Sequence, residues 1–221
     1  LNASSLDIQK LREYRNAVEQ NNPGVLSQIS DDRLLKNTGA VNQNGDVTLL
    51  GLLRFGNSEL LRRHAPHAKV VFAHYRGVHK VDPRTGESIQ IDDKEFSGDV
   101  FDQFSDARQY LRQVLPVGAR ISGETGLRRE EYSVPMDAIR EVLANAIVHR
   151  DYSDRSSFVL IEMFDDRIEF SNPGRSLVPI DQLATHPPAS RNPLLMTILK
   201  DERIVEQRGR GIPIIFSSME R

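Results

Sequence analysis

Residues Pro135 to Tyr152 read PMDAIREVLANAIVHRDY, and this stretch constrains the chain more than any other. A proline suits the first turn of a helix, because its missing N–H would have no intrahelical partner there. Ile139, Val142, Leu143, Ala146 and Ile147 then recur at helical spacing, which predicts one apolar, buried face. Glu141, Asn145 and His149 lie four apart and stack along a stripe beside that face. A carboxylate, an amide and an imidazole in register either face a ligand or form a buried network tying the helix to a loop. Spacing alone leaves both readings open.

At 221 residues the chain can hold one large domain or two small ones, each with a core. Its 38% hydrophobic and 27% charged content is ordinary for a soluble protein. No apolar run nears the roughly 20 residues a membrane helix needs, so no membrane partner is expected. The chain has no cysteine, which excludes a disulfide framework and a thiolate metal site and fits a cytoplasmic location. Its start, LNASSLDIQK, has neither an apolar signal core nor an initiator Met and reads as a fragment or a processed start. The net charge of −2 argues against a broad nucleic-acid-binding face. Residues 1–97 carry 13 Lys+Arg against 12 Asp+Glu, and the rest 16 against 19, so neither part is strongly basic.

The predicted class is α+β, with a boundary near Ser97-Gly98. Residues 1–97 read as a smaller helical unit with a β-hairpin, and residues 98–221 as the larger unit. In the first, Leu6 to Gln20 is an amphipathic helix stopped by NNPG, and Asp31 to Lys36 a second one after Ser30. TLLGLLRFG is a third, capped by Thr48 and ended by Gly56. Either a winged-helix arrangement or a plain helical packing layer fits, and no helix there is studded with Arg, Asn and Gln. KVVFAHYR and the run from Ser88 to Asp92 form the hairpin.

In the second unit, Asp99 to Leu115 is a strongly amphipathic helix stopped by Pro116. Two short strands, Ala119 to Ser122 and Glu131 to Val134, precede the Pro135 helix. FVLIEMF and RIEFS then make a hairpin joined at Asp165-Asp166. The proline-rich run from 172 to 192 excludes regular structure over about 20 residues, a length at which loops tend to be lids or binding loops. Helices are expected again at Pro193 to Leu199 and, as helix or strand, at Ile212 to Met219.

Two further clusters join the helix stripe: Asn172-Pro173-Gly174 just after a strand, and Gly209-Arg210-Gly211 just before an element. Glycines at a helix start let backbone N–H groups approach a phosphate, with Arg208 and Arg210 adding positive charge; a plain turn is the other reading. On the stripe, Asn145 can complete Mg²⁺ coordination through its carbonyl oxygen. Glu141 can hold a water or act as general base.

Taken in order, these clusters resemble the Bergerat ATP-binding fold of the GHKL superfamily. There a helix carries Glu-x-x-x-Asn, a strand leads to an Asp-x-Gly loop, and a glycine-rich turn before a helix holds the phosphates. Glu141-Val-Leu-Ala-Asn145, Asn172-Pro-Gly174 and Gly209-Arg-Gly211 fall in those places. More narrowly, EVLANAIVHRDYS, DDRIEFSNPG, SRNPLL and VEQRGRGIP are similar to the divergent ATPase module of transcriptional regulators often labelled RecG-like DNA helicases.

The resemblance implies a Bergerat-type α/β sandwich over residues 98–221. It implies ATP and Mg²⁺ as cofactors, Glu141 as catalytic residue and Asn145 as Mg²⁺ ligand. Asn172, Gly174, Arg191, Gly209, Arg210 and Gly211 would be nucleotide contacts, Arg191 being otherwise a loop anchor. It further implies a transcriptional regulator that reaches DNA through domains outside this stretch, with homodimerisation as an additional expectation. Two departures bear on mechanism: Asn172 replaces the base-reading Asp, and Pro213 follows a short glycine box. The sequence has no GxxxxGK[ST] run, so a helicase motor is absent and an ATP hydrolase is what any activity would be. The alternative is a nucleotide-free dimerisation scaffold that keeps the fold.

Overall fold

The computed structural model describes residues 1–121, 128–182, 186, 189–205 and 211–219. Helix α1 (Ile8–Asn21) starts where the Asp7 carboxylate accepts the Gln9 N–H. Helix α2 (Asp31–Asn37) starts at Ser30, and α3 (Leu49–Phe55) at Thr48, whose hydroxyl accepts the Gly51 N–H. All three caps satisfy N–H groups that a helix start leaves without partners. Leu11, Tyr14, Val18, Leu34, Leu35 and Phe55 form a core of their own between these helices. A short helix α4 (Ser58–His64), capped by Asn57, follows and was not expected from the sequence. Gly56 ends α3 in extended rather than left-handed backbone, so the chain turns directly into the next cap.

Strand β1 (Val70–Tyr75) pairs antiparallel with β2 (Gln90–Phe96) as the anticipated hairpin. Strand β2 is longer than its sequence indicated, because an edge strand exposed at every residue but Phe96 is polar and carries no apolar alternation. Strand β1 also pairs, in parallel, with β5 (Val159–Met163), and β5 pairs antiparallel with β6 (Ile168–Ser171). One sheet of order β2-β1-β5-β6 therefore runs across position 97. The hairpin assigned to residues 1–97 and the hairpin assigned to 98–221 are hydrogen-bonded neighbours. A separate two-stranded ribbon is formed by β3 (Val117–Ile121) and β4 (Arg128–Tyr132).

Helix α5 (Val100–Val114) and helix α6 (Met136–His149) lie against the sheet face that presents Val70, Phe72, Val159, Ile161 and Met163. Asp99 caps α5 by accepting the N–H groups of Phe101 and Asp102. Helix α7 (Pro193–Asp201) contributes Leu195 and Leu199 to this main core and Ile198 to the N-terminal one. Helix α8 (Gly211–Met219), the helical form of the last expected element, packs on α6. Among the described residues the architecture is mixed α+β, with eight helices and a four-stranded sheet.

Where the two cores meet, the Arg54 side chain is 1% exposed. It donates to both carboxylate oxygens of Glu202, from Nε at 3.0 and 3.2 Å, and to Asp99 Oδ2 at 3.2 Å. Lys10 adds a second cation, 2.6 Å from Asp102 and also bonded to Asp99. Burial pushes the Asp99 and Glu202 carboxyls upward in pKa against the opposing pull of Arg54.

Helix α7 closes with the N–H of Ile204 bonded to the Leu199 carbonyl at 2.8 Å and that of Arg203 to the Lys200 carbonyl at 2.9 Å. This closure needs a left-handed residue, and Arg203 supplies it at φ 57°. The left-handed region costs a side-chain-bearing residue roughly 1–2 kcal/mol, of which glycine's extra chain entropy would return part. Arg203→Gly should therefore stabilise the protein by about 0.5–1 kcal/mol. Urea denaturation measures this, and an unchanged or lowered midpoint would contradict it.

Candidate functional site

Three segments distant in sequence converge at the C-terminal end of α6. The first is that helix end itself. His149 is half-buried in its last turn, whereas Arg150, just beyond, is 1% exposed. Arg150 does more than place a positive charge at the end of the helix dipole. Its guanidinium donates to the carbonyls of Ser157 at 2.7 Å and of His67, Asp154 and Asp151 at 3.2 Å. It thus fixes the loop from α6 to β5 against the entry to β1. The buried Tyr152 hydroxyl donates to the Ile147 carbonyl at 3.0 Å beneath it.

The second segment is Asn172-Pro173-Gly174, directly after β6. The Asp151 N–H donates to the Pro173 carbonyl at 2.9 Å, which holds this loop on the helix end. Gly174 has φ 112°, and a Cβ built there would lie 3.0 Å from the Asp151 Cβ and 3.3 Å from Arg191 Nη2. A glycine is required by both the backbone angle and the close approach. Asn172 is half-buried beside it.

The third segment is Arg191-Asn192, immediately before α7. Arg191 donates to Asp151 Oδ2 at 3.3 Å and to the Arg175 carbonyl at 2.6 Å. It clamps the Asn172 loop to the helix end as a loop anchor. Asn192 donates through Nδ2 to the carbonyls of Val148 at 2.7 Å and Arg150 at 2.8 Å. Those carbonyls are among the acceptors a helix end leaves unpaired, so the residue just before one helix caps the last turn of another. Asn192 was not singled out in the sequence, where its only signal is its place before a helix-opening proline.

Two of the expected residues lie farther up the same helix. Glu141 is 2% exposed, and Asn145, one turn on, is half-buried. Eight residues separate Glu141 from His149, about 12 Å of helix at 1.5 Å per residue. Gly211 opens α8, which packs along α6, while Gly209 and Arg210 lie outside the described residues. The structure thus brings Asn172, Gly174 and Arg191 together with the base of α6, and leaves Glu141 and Asn145 along its length.

The electrostatics of the clamp are directional. The Ser153 hydroxyl and N–H, helped by Arg191, hold the Asp151 carboxyl below the usual carboxylate range. Burial, and then the charge of Arg191, hold His149 below the ordinary histidine range. His67 is lowered too, by burial and by Arg150.

Residues 156–221 match the family HATPase_c_4, described as "Putative ATP-dependent DNA helicase recG C-terminal". That match fits the RecG-like resemblance and covers β5, β6, the Asn172 loop, α7 and α8, but begins after α6. Residues 1–71 match a domain of unknown function (DUF8451). No curated protein matches the chain. Among solved structures, the chain is similar to the DIP2311 protein from Corynebacterium diphtheriae, with a TM-score of 0.71 at 16% identity. The likeness covers 99% of this chain and 41% of that one, so the chain spans less than half the length of that protein. At such identity the likeness shows a shared fold.

Because His149 and His67 titrate below their ordinary values, protonating them favours the unfolded chain. The stability they contribute is complete above about pH 6.5 and is lost as pH falls through their folded values. Thermal unfolding between about pH 7.5 and pH 5 should show this loss, and His149→Gln should remove part of it. An identical pH slope in the variant would show that burial and the Arg191 charge do not lower His149.

Proposed function

We propose that the chain is an ATP-binding regulatory module of GHKL type. The observation that carries this reading is the convergence on one helix. The polar stripe of α6 runs from the clamped Asn172-Gly174 loop toward α8, and α8 opens at Gly211. In this reading the loop at one end of α6 is the base side and the glycine-led helix alongside is the phosphate side of a nucleotide site. The match of residues 156–221 to an ATPase-like family supports nucleotide binding as its use.

In this reading Asn172 and Gly174 border the base, and Gly209, Arg210 and Gly211 receive the phosphates at the α8 start, where backbone N–H groups and the helix dipole favour an anion. The donor set on α6 is one carboxylate and one amide oxygen a turn apart. This suits Mg²⁺, which keeps several waters and takes the rest of its shell from phosphate oxygens instead of an all-protein cage. Asn145 would contribute the amide oxygen, and the bound ion would neutralise phosphate charge. Glu141 would accept the proton of an attacking water. Asn172 offers both a donor and an acceptor, so base preference differs from that set by an aspartate.

Regulation of transcription, contact with DNA through other domains, homodimerisation and a cytoplasmic location belong to the same proposal. Among the described residues no helix is long and apolar enough to cross a membrane.

One observation favours the second reading, a scaffold that keeps the fold without nucleotide. The Arg191 guanidinium, expected to reach phosphates, is committed to Asp151 and the Arg175 carbonyl.

Calorimetry with ATP and Mg²⁺ separates the two. Wild type should release heat and Asn145→Ala should bind at least tenfold more weakly, while Glu141→Gln should retain binding and lose most hydrolysis. At 100 times Kd, ATP should stabilise wild type by about 2.7 kcal/mol. No heat and no stabilisation would establish the scaffold, and an unchanged rate in Glu141→Gln would remove the general-base role.

A further inference from the structure

Helix α7 is nine residues long and is bonded to a different layer at each end. At its start, Asn192 holds the last carbonyls of α6 and Arg191 holds Asp151. Along its body, Leu195 and Leu199 sit in the main core while Ile198 sits in the N-terminal core with Leu11 and Phe55. At its end, Asp201 accepts the Tyr14 hydroxyl at 2.8 Å through its carboxylate and the Asn21 amide at 2.7 Å through its carbonyl. Glu202, one residue on, is paired with the buried Arg54 of α3. Arg140, on α6, donates to the carbonyls of Arg203 at 2.8 Å and Ile204 at 3.1 Å. The helix is therefore laced to α6 at both ends and to α1 and α3 at one.

We propose that α7 is a strut that carries the state of the Asn172–Arg191 clamp to the N-terminal helices α1 and α3. The nucleotide as the ligand that sets that state rests on the function proposed above; the mechanical link does not. A ligand that draws Arg191 off Asp151 releases the loop ahead of α7 and shifts the helix as a unit, because a short packed helix moves rather than bends. The Arg54–Glu202 pair cannot be surrendered cheaply, since either partner alone would be a buried charge. Displacement of α7 thus passes to α3 through Arg54 and to α1 through Tyr14 and Asn21.

Hydrogen exchange on the whole chain without nucleotide tests the strut. Tyr14→Phe with Asn21→Ala removes both bonds to Asp201 and leaves the buried charge pair intact. Each bond is worth about a factor of a few, so amides of α7 and of the last turn of α6 should exchange about tenfold faster. The β1–β2 hairpin should not change. In the opposite direction, Asp151→Asn should speed exchange in residues 14–21 of α1. The strut is overturned if each substitution is felt only at its own end of α7. Tyr14→Phe alone, a threefold effect in the same direction, decides the matter should the double variant fail to fold. ATP titration read by the same exchange then addresses the ligand: no response in wild type removes the nucleotide, while the coupling between variants still decides the strut.

Discussion

A fully buried arginine holds this molecule together. Arg54 sits between two hydrophobic cores, and its guanidinium reaches the carboxylates of Glu202 after α7 and of Asp99 at the start of α5. Taking such charges out of water is costly, and the geometry repays it only if every partner stays in place. The consequence is specificity of arrangement. Helix α3 can sit against α5 and α7 in one register, since sliding by a turn would strand a guanidinium in a dry site. Asp99 has two roles in this, because the same carboxylate caps α5. The N-terminal helical layer is therefore keyed to the sheet-bearing part by charge as well as by packing.

The sheet strengthens that union. Val70 to His74 run parallel to Val159 to Met163, so the polypeptide joins two neighbouring strands only after passing through α5, the β3–β4 ribbon and α6. Parallel neighbours need such long crossovers. Placing β1 beside β5 brings the His67 carbonyl within reach of Arg150, which anchors the loop leaving α6. A segment before position 97 thus helps to shape the end of the candidate site.

Much of this was legible in the sequence, and what was not has physical reasons. Caps at Ser30, Thr48 and Asp99 and the apolar periodicities of α5 and α6 are local signals, and the helices start where those residues stand. The β5–β6 hairpin likewise follows from two apolar strands around Asp165-Asp166. Pairing of β1 with β5 is a contact between residues almost 90 positions apart, which no local pattern encodes. Arg54 carries no signal of its burial in the sequence, because burial of a cation depends on where its partners come from. The polar stripe of α6 marked the helix, and the Asn172 and Arg191 segments marked loops. The Asp151 carboxylate that accepts from Arg191 and the Asn192 amide that donates to the helix end belong to short polar side chains with no distinguishing spacing.

The clamp also bears on how the two readings of function differ. Asp151, Arg191, Asn192 and the Pro173 carbonyl order the loop beside α6 before any ligand arrives. Loops that must be ordered on binding subtract that cost from affinity, and a pre-ordered loop does not. A binding function and a scaffold function both profit from such order, so rigidity here does not choose between them. The choice lies along α6 itself. Glu141 is 2% exposed on a helix whose other buried positions are apolar, and burying its charge is costly in either reading. The two readings assign that burial differently: to a water-activating carboxylate beside a nucleotide, or to a polar network that ties the helix to its neighbours.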